Sequence, residues 1–334
     1  MSSTRDIKRR IRSVKNTSQI TKAMEVVSAT KMRKSQAFAL GARPYAVASL
    51  EILQSILSRT PSDLLPPLLA PREVKTACLV VVTSDKGLAG AFNANVLRKA
   101  DAWLSAKPRT NVDIYADQRG HKNVLITVGK KAKEYFERKG LISASKGEYR
   151  DRIPVKSFFG YGDYSSLAQT QEVADAILAG FQDGSYDEVH AVYMNFRTTL
   201  VQEPVLKKIL PASREGLEDA VRSILPEKGR YAVNDRGETS IEVSPLYNYE
   251  YVFEPSPAEI LTTLVQQLIK MHIHHIILES NASEHSARMV AMKNASDNAK
   301  ELMQGLSLAY NKARQANITR ELVEITAGRE ALEA

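Results

Sequence analysis

A glycine-containing turn directly after an apolar run is the first place where this sequence could hold a ligand. The run Thr76–Thr83 (TACLVVVT) is typical of a strand covered on both faces, and the turn Ser84–Gly90 (SDKGLAG) follows it. A phosphate site needs closely spaced glycines, so that backbone N–H groups can surround the anion. Gly87 and Gly90 give only G-x-x-G, and Val128–Lys131 lacks the upstream glycine and the hydroxyl residue of a P-loop. We therefore expect a tight turn beneath a helix.

Histidines and the single cysteine are the other residues that could carry chemistry. His272, His274 and His275 crowd one stretch, and His285 lies beyond it. Their spacing does not give the i, i+4 pair of a zinc helix, and no carboxylate completes an H-E-x-x-H pattern, so we expect packed histidines. Cys78 stands alone, which excludes an intramolecular disulfide and indicates a buried, inert thiol. We expect no catalytic residue, no cofactor-binding residue and no metal ligand.

A long heptad row towards the carboxyl terminus is the strongest pattern in the chain. From Leu264, apolar or small residues recur in alternating steps of four and three, with no proline and only Gly305 between them. The row consists of Leu264, Leu268, Met271, His275, Leu278, Ala282, His285, Met289, Met292, Ser296, Ala299, Met303, Leu306, Tyr310 and Ala313. A helix from near Ala258 to near Gly328 would be roughly 105 Å long. No ordinary globular domain needs such a rod, so the rod itself points to function.

The amino-terminal segment predicts a second long helix that needs a partner. Its heptad row begins with Ile7, Ile11, Val14, Ser18 and Thr21. Beyond Thr21 we expect the row to drift, with its contacts shared by Ile20, Met24, Val27 and Met32. This apolar face is too narrow to stabilise an isolated helix. The carboxyl-terminal helix is therefore the expected partner, in an antiparallel coiled coil.

Strand-like and helix-like segments alternate between the two long helices. This alternation predicts a small α/β domain with a mostly parallel sheet. Expected strands are 76–83, 124–128, 188–196 and 200–209, and expected helices are 91–106, 130–139 and 165–181. Pro44 predicts a bend at 41–44, followed by a helical run at 45–57. The predicted domains are an amino-terminal helix at 1–58, the α/β domain at 74–210, an insertion with a final strand at 211–254, and a carboxyl-terminal helix at 258–330.

The net charge of +8 is concentrated at the amino terminus. Residues 1–43 contain eleven basic and two acidic side chains, a local charge of +9. Such a cluster suits nucleic acid, an anionic membrane surface or an acidic protein. The segment also has the composition of a mitochondrial transit peptide, but its helical pattern continues to about Leu57, so we expect it to belong to the mature bacterial protein. The longest apolar runs are too short to span a bilayer.

Three stretches of this sequence resemble a known family. Ile20–Lys34 (ITKAMEVVSATKMRK), Ser84–Gly90, and the carboxyl-terminal run containing Ser283–Lys293 (SEHSARMVAMK) and Tyr310–Ala316 (YNKARQA) resemble the gamma subunit of F-type ATP synthases. The stretches occur in family order and cover both ends and the first strand. A regulatory cysteine pair found in photosynthetic relatives is absent, because Cys78 is the only cysteine.

The resemblance implies a rotor shaft without chemistry of its own. It implies that the coiled coil lies inside a hexamer of alternating alpha and beta subunits, with one copy per complex. The α/β foot would bind epsilon and the c-ring, with proton or sodium flow driving rotation and the complex on the cytoplasmic side of a bacterial plasma membrane. Family positions imply contacts to the surrounding hexamer at Met24, Arg33, Arg288, Arg314, Gln315 and Thr319, and a bearing tip at Ile318, Leu322 and Ile325. No cofactor and no nucleic acid are implied.

Two other functions compete with this interpretation. The turn at Gly87 and Gly90 allows a nucleotide-dependent α/β enzyme with helical dimerisation arms. The +9 cluster allows a nucleic-acid-binding coiled coil, whose affinity would depend strongly on salt and on Arg9, Arg10 and Arg12. The amino-terminal helix lacks the interspersed aromatic residues of a single-strand binding platform.

Overall fold

The computed structural model describes residues 4–41, 52–53, 55–56, 66–70, 72–105, 122–141, 155–163, 165–213, 216 and 256–333. The elements in chain order are α1 (Thr4–Gly41), β1 (Thr76–Val82), α2 (Phe92–Ser105), β2 (Lys122–Val128), α3 (Lys130–Arg138), β3 (Val155–Phe158), α4 (Leu167–Gln182), β4 (Glu188–Phe196), β5 (Gln202–Leu210) and α5 (Pro257–Glu333). The predicted bend at 41–44, most of the predicted run at 45–57, and nearly all of the predicted insertion at 211–254 lie outside the described residues.

The chain forms two compact units, and both long helices contribute to each. The first unit contains Met1–Ala29 and Arg288–Ala334, and the second contains Thr30–Ala287. Among the described residues, the first unit consists of helix from the two ends of the chain, while the second carries the five strands. None of the helices in the described ranges is both long enough and apolar enough to cross a membrane.

The second unit contains a five-stranded, mostly parallel sheet with the order β3-β2-β1-β4-β5. Strands β1 to β4 pair in parallel, and only β5 runs antiparallel, along β4. Parallel neighbours require crossover connections, which explains the alternation of strand and helix in the sequence. The predicted α/β fold is thus confirmed. Strand β3 was not predicted, because it has only four residues and includes Lys156 and Ser157.

Alternate residues of β1 enter two different cores. Cys78, Val80 and Val82 pack on the face covered by α4 and by the first part of α5. Leu79 and Val81 pack on the opposite face, which α2 and α3 cover. Both faces of the strand are buried, so its sequence is apolar without a break. Burial also raises the pKa of the Cys78 thiol, as expected of an unreactive cysteine.

The first unit is an antiparallel coiled coil of α1 and α5, as predicted. Ile7, Ser18 and Thr21 are buried on α1, and Met292, Ser296 and Ala299 are buried on α5. The remaining predicted positions of the α5 row within this unit are half-buried, namely Met289, Met303, Leu306, Tyr310 and Ala313. The heptad spacing therefore marks the face along which the helices pack.

The predicted drift of the α1 row beyond Thr21 is wrong. Ile20 is 60% exposed and Val27 is 54% exposed, whereas Ser28 is only 3% exposed. The row therefore keeps its heptad spacing and uses serine. A buried serine is tolerated because its hydroxyl group bonds within the helix: Ser28 Oγ donates to the Met24 carbonyl at 2.7 Å. Met24 itself is half-buried, and Met32 is buried as expected.

Candidate functional site

The turn after β1 is a structural junction. The Asp85 carboxylate accepts the Lys130 N–H at 3.0 Å and the Gly160 N–H at 2.8 Å, which joins the turn to the start of α3 and to the segment after β3. Ser84 Oγ donates to the Lys86 carbonyl at 2.6 Å. Leu88 and Gly90 have positive φ values of 64° and 56°. These polar groups stabilise the tight turn that the sequence predicts, and do not surround an anion.

Helix α5 lies at the point of the sheet where open α/β folds bind ligands. That point is beside the carboxyl ends of β1 and β4, where the strand order reverses. Ser283 Oγ donates to the Met194 carbonyl at 3.1 Å near the end of β4, and Ser286 Oγ donates to the Thr199 carbonyl at 2.7 Å. Ala287 packs against the core that contains Val192 and Met194. The helix thus fills the region that a nucleotide would use in such a fold.

The four histidines of α5 are packing residues. His272, His274, His275 and His285 are all buried. Burial lowers the pKa of His272 to about 3, and the charges of Lys207 and His275 act in the same direction. Burial likewise lowers the pKa of His274 to about 4, and its Nδ1 lies 2.8 Å from Thr170 Oγ1. Within the described ranges, no three His, Cys, Asp or Glu side chains are grouped to hold a metal ion.

Glu279 is a largely buried carboxyl group, 11% exposed, that no pattern in the sequence marks. Burial raises its pKa to about 7, although the Lys207 charge, the Phe196 backbone, the Tyr193 hydroxyl group and the Arg197 charge all act to lower it. Glu279 is not a member of the heptad row, so the periodicity gave no reason to expect its burial. The signal that could have found it is the near-continuous burial of α5 from Leu268 to Ser286, because a helix embedded in a core is buried all round.

The first part of α1 presents a basic surface. Arg5, Lys8, Arg9, Arg10, Arg12 and Lys15 are all exposed. Asp6 is the acidic residue among them, and its Oδ1 accepts Arg9 Nη2 at 3.1 Å. Exposed apolar side chains follow on the same helix, with Val26 57% exposed and Val27 54% exposed. A surface of this kind attracts an acidic partner over a long range and offers apolar contact at short range.

The end of α5 is exposed to solvent on all sides of the helix. Every residue from Arg314 to Arg329 is exposed. Ile318, Leu322 and Ile325 are 47%, 58% and 68% exposed, at the i, i+4, i+7 spacing of one helix face. An exposed apolar row of this kind marks a contact surface for another molecule.

The residues assigned by family position lie in different environments. Arg314, Gln315 and Thr319 belong to this exposed end of α5, and Thr319 Oγ1 donates to the Gln315 carbonyl at 3.0 Å. Arg33 is exposed in the second unit. Arg288 is only 7% exposed, so little of its side chain reaches the surface. The structure therefore groups Arg314, Gln315 and Thr319 with the three tip residues, while Met24 and Arg288 lie on the packed part of the coiled coil.

Comparisons with known proteins match the whole chain to one family. The family model described as ATP synthase matches residues 3–332. The ATP synthase gamma chain of Roseiflexus castenholzii is 39% identical over 333 residues, covering 99% of each chain. The ATP synthase gamma chain of Chloroflexus aurantiacus is 40% identical over 337 residues, also covering 99% of each chain.

The fold comparison agrees with these sequence matches. A chain in the cryo-EM structure of the Euglena gracilis mitochondrial ATP synthase, OSCP/F1/c-ring, has a TM-score of 0.60 and 18% identity. The match covers 98% of this chain and 94% of that one. At this identity the likeness shows the fold, which is the same arrangement of two terminal helices with an α/β region between them in sequence.

Proposed function

Because this chain belongs to the ATP synthase gamma-chain family and is the non-catalytic rotor shaft of an F-type ATP synthase, we propose which partners each of its surfaces contacts. The coiled coil turns inside a hexamer of alternating alpha and beta subunits. The α/β unit binds the epsilon subunit and the membrane ring of c subunits. Ion flow turns the ring, and the shaft forces each catalytic beta subunit in turn through its conformational cycle. This membership decides against the enzyme alternative, and the shaft gives the basic cluster a protein partner in place of nucleic acid.

The observation that carries this proposal is the division of the coiled coil into a packed inner face and a charged outer face. The two helices bury a narrow row of small and apolar side chains against each other, and the basic residues from Arg5 to Lys15 remain exposed. A rotating shaft must contact three partners in succession without locking onto one. Charged side chains suit this task, because their attraction is long in range and weakly directional. Acidic segments of the beta subunits are the partners that this surface fits.

The exposed apolar row at the end of α5 serves as the tip of the shaft. Ile318, Leu322 and Ile325 fit an apolar sleeve formed by the surrounding subunits. Arg314, Gln315 and Thr319 on the same part of the helix make the polar contacts at its entrance. Family position also assigns Met24, Arg33 and Arg288 to contacts with the hexamer, and Arg33 is the exposed one of the three. These assignments follow the family positions of the residues.

The chain is located at the bacterial plasma membrane, on the cytoplasmic side, and is peripheral to it. It reaches the membrane through the complex, by contact with the c-ring. One copy is present in each complex, because a single shaft occupies the centre of the hexamer. It needs no cofactor or metal, since its task is to transmit rotation.

Reconstitution with the other subunits of the same organism tests the proposal. The isolated chain should hydrolyse no ATP, and the hexamer with this chain should rotate a bead attached to the α/β unit when ATP is supplied. Neutralising Arg9, Arg10 and Arg12 together should reduce the torque at low salt and have less effect at high salt. The triple neutralisation of Lys99, Lys130 and Lys131 on the second unit, with the same charge change, is the control. Coupled ATP synthesis by a complex that lacks this chain would refute the proposal.

A further inference from the structure

Asp163 lies in the short segment between β3 and α4, and it contacts α1 at two points. Lys31 Nζ donates to Asp163 Oδ1 at 2.5 Å, across 132 residues of sequence. Ser35, one turn further along α1, donates from its Oγ to the Asp163 carbonyl at 3.3 Å. Ser35 is fully buried, so this hydrogen bond satisfies a hydroxyl group that has no access to water.

The same segment also contacts α5. Asn281 Nδ2 donates to the Tyr161 carbonyl at 2.6 Å and to the Asp163 carbonyl at 3.2 Å. Asn281 is 4% exposed. His285 Nε2 lies 4.0 Å from Asp163 Oδ1, one turn beyond Asn281 on α5. We call Asp163 and its four helix partners, Lys31, Ser35, Asn281 and His285, the Asp163 clasp. All five residues lie within the second unit.

The clasp is anchored to the sheet side of the second unit. The Gly160 N–H donates to Asp85 Oδ2 at 2.8 Å, which ties the segment to the turn after β1. The Tyr161 hydroxyl donates to Glu172 on α4 at 3.2 Å, and Ser165 Oγ donates to the Tyr161 carbonyl at 3.2 Å. The segment at 160–163, which contacts both α1 and α5, is therefore itself bonded to the turn after β1 and to α4.

Electrostatics keep the clasp charged. Burial alone would raise the pKa of Asp163, but the hydrogen bond from Lys31 and the charges of Lys31, His285 and Lys86 outweigh it and hold that pKa below its usual range. Asp163 is thus a carboxylate at neutral pH. An ion pair that is partly exposed, with the side chain of Asp163 55% accessible, contributes little to global stability. The ion pair does, however, fix the position of Lys31 on α1 relative to the segment between β3 and α4.

The two helices differ in how they are fixed to the α/β core. The buried apolar residues of α5 between Leu261 and Ile277 belong to the larger apolar core, which attaches this helix to the sheet. The part of α1 in the second unit buries Met32 and Ser35 among its described side chains, and neither belongs to that core. The polar contacts to Asp163 therefore connect α1 to the α/β core, whereas buried apolar side chains connect α5 to it.

We propose that Asp163 is a positioning residue for torque transfer, which locks α1 to α5 and to the α/β core. The inference rests on the proposed function, because it concerns a load that only a turning shaft experiences. Without the clasp, α1 can slide against α5 when the shaft is twisted. Part of each rotation step is then taken up as elastic deformation, and less of it reaches the partner of the α/β unit.

Torsional stiffness of the assembled complex tests the clasp. A bead is attached to the α/β unit, the hexamer is stalled, and the stiffness is taken from the thermal fluctuations of the bead. Asp163→Asn and Lys31→Met should each lower the stiffness by about a factor of two, and the double variant should be no softer than either single variant. Matched controls are Asp297→Asn and Lys300→Met, which break an ion pair of 3.0 Å within one turn of α5. These controls should leave the stiffness unchanged.

Rescue separates positioning from a merely structural role. The conservative variant Lys31→Arg should keep at least half of the stiffness that Lys31→Met loses, while thermal melting of the isolated chain changes little in any of these variants. Stiffness of Lys31→Met equal to that of Lys300→Met would overturn the inference, whether or not Asp163→Asn assembles. Failure of the unaltered chain to rotate in the hexamer would instead overturn the proposed function, and the two failures are thus distinguishable.

Discussion

Ser18 and Ser296 face each other across the coiled coil, with their Oγ atoms 3.4 Å apart although 278 residues separate them in the sequence. Ser296 Oγ also lies 3.5 Å from the Ser18 carbonyl oxygen. Both side chains are buried, with Ser18 8% and Ser296 1% exposed. Such a contact requires the helix backbones to approach closely, because neither side chain extends beyond its hydroxyl oxygen. The packed face of the shaft is therefore built from small polar residues at this level.

The contact between Ser18 and Ser296 predicts that the two terminal helices can be cross-linked efficiently at these positions. Oxidation of the Ser18→Cys/Ser296→Cys variant should close a disulfide, because hydroxyl groups in contact place the two Cβ atoms within reach of each other. The native Cys78 is buried and should not interfere. A non-reducing gel of the full-length chain measures the product. Both cysteines belong to the rotor, so the cross-linked chain should still support ATP-driven rotation.

A matched pair separates helix contact from general proximity. Ile20 lies two residues from Ser18 on α1 but is 60% exposed. The Ile20→Cys/Ser296→Cys variant should therefore form little intramolecular disulfide. Equal cross-linking by the two pairs would contradict the register that Ser18 and Ser296 define.

A second prediction concerns the serine that replaces an apolar residue in the α1 row. Ser28→Leu should destabilise the coiled coil by about 1–3 kcal/mol, because a larger side chain must fit into a packed position. Val27→Ala, next to it, should change stability by less than about 0.5 kcal/mol, since Val27 is 54% exposed. Thermal unfolding followed by circular dichroism gives both values. If the row drifted as expected from the sequence, Val27→Ala would cost more stability than Ser28→Leu. The two variants therefore distinguish the drifting row from the regular heptad row.

The contrast between α5 and α1 shows what the sequence could predict. In α5, every predicted row position from Leu264 to Ala313 is buried or half-buried, because the row combines large apolar residues with small ones at strict spacing. In α1, Ser28 and Ser35 were not predicted, because the apolar residues Ile20 and Val27 beside the heptad row were better candidates for burial than serine. The spacing of apolar residues therefore identifies the buried face of a helix only where the buried side chains are themselves apolar.

The same limit applies to the chemistry inside the second unit. The burial of Cys78 and the position of strand β4 could be predicted, because both lie in apolar stretches of the sequence. Glu279 and the Asp163 clasp could not, because their partners Tyr193, Lys31 and Asn281 come from distant parts of the chain. Exposure of the tip residues Ile318 to Ile325 could not be read from spacing either, since an exposed apolar row and a buried one have the same pattern.

A third prediction concerns Gly129, at the start of α3. Its φ is +98°, and an added Cβ atom would lie 2.2 Å from the Thr83 carbonyl oxygen. Gly140 also has a positive φ, +70°, but a Cβ atom added there would have no such neighbour within 4 Å. Gly140→Ala should therefore cost about 1–2 kcal/mol for the left-handed backbone alone. Gly129→Ala should cost more than about 4 kcal/mol, because the clash is with backbone that cannot move aside.

Unfolding of the two glycine variants in urea provides this comparison. Trp103 is the only tryptophan and lies in the second unit with both glycines, so its fluorescence reports the relevant transition. The two variants share the backbone cost, and their difference isolates the clash at Thr83. Equal losses of stability would mean that β1 and α3 can separate at this point.

The fourth prediction concerns the pH dependence of stability at Glu279. Burial raises its pKa from 4.5 to about 7 in the folded chain. Between these values the folded state holds a proton that the unfolded state releases, so the contribution of Glu279 to stability is complete below pH 4.5 and is lost as the pH rises to about 7. His272 and His274 act in the opposite direction, because their lowered pKa values of about 3 and 4 remove stability as the pH falls below 6.5.

The Glu279→Gln variant removes the carboxyl group and leaves the contributions of His272 and His274 common to both chains. The difference in unfolding free energy between variant and unaltered chain should shift in favour of the variant as the pH rises from about 5 to about 7.5, by up to about 1.4 kcal/mol per pH unit. Above that range the difference should become constant. Urea unfolding midpoints from Trp103 fluorescence at each pH provide the measurement. Parallel stability curves for the two chains would mean that the pKa of Glu279 is the same folded and unfolded, and that water reaches its carboxyl group despite the packing of α5 against β4.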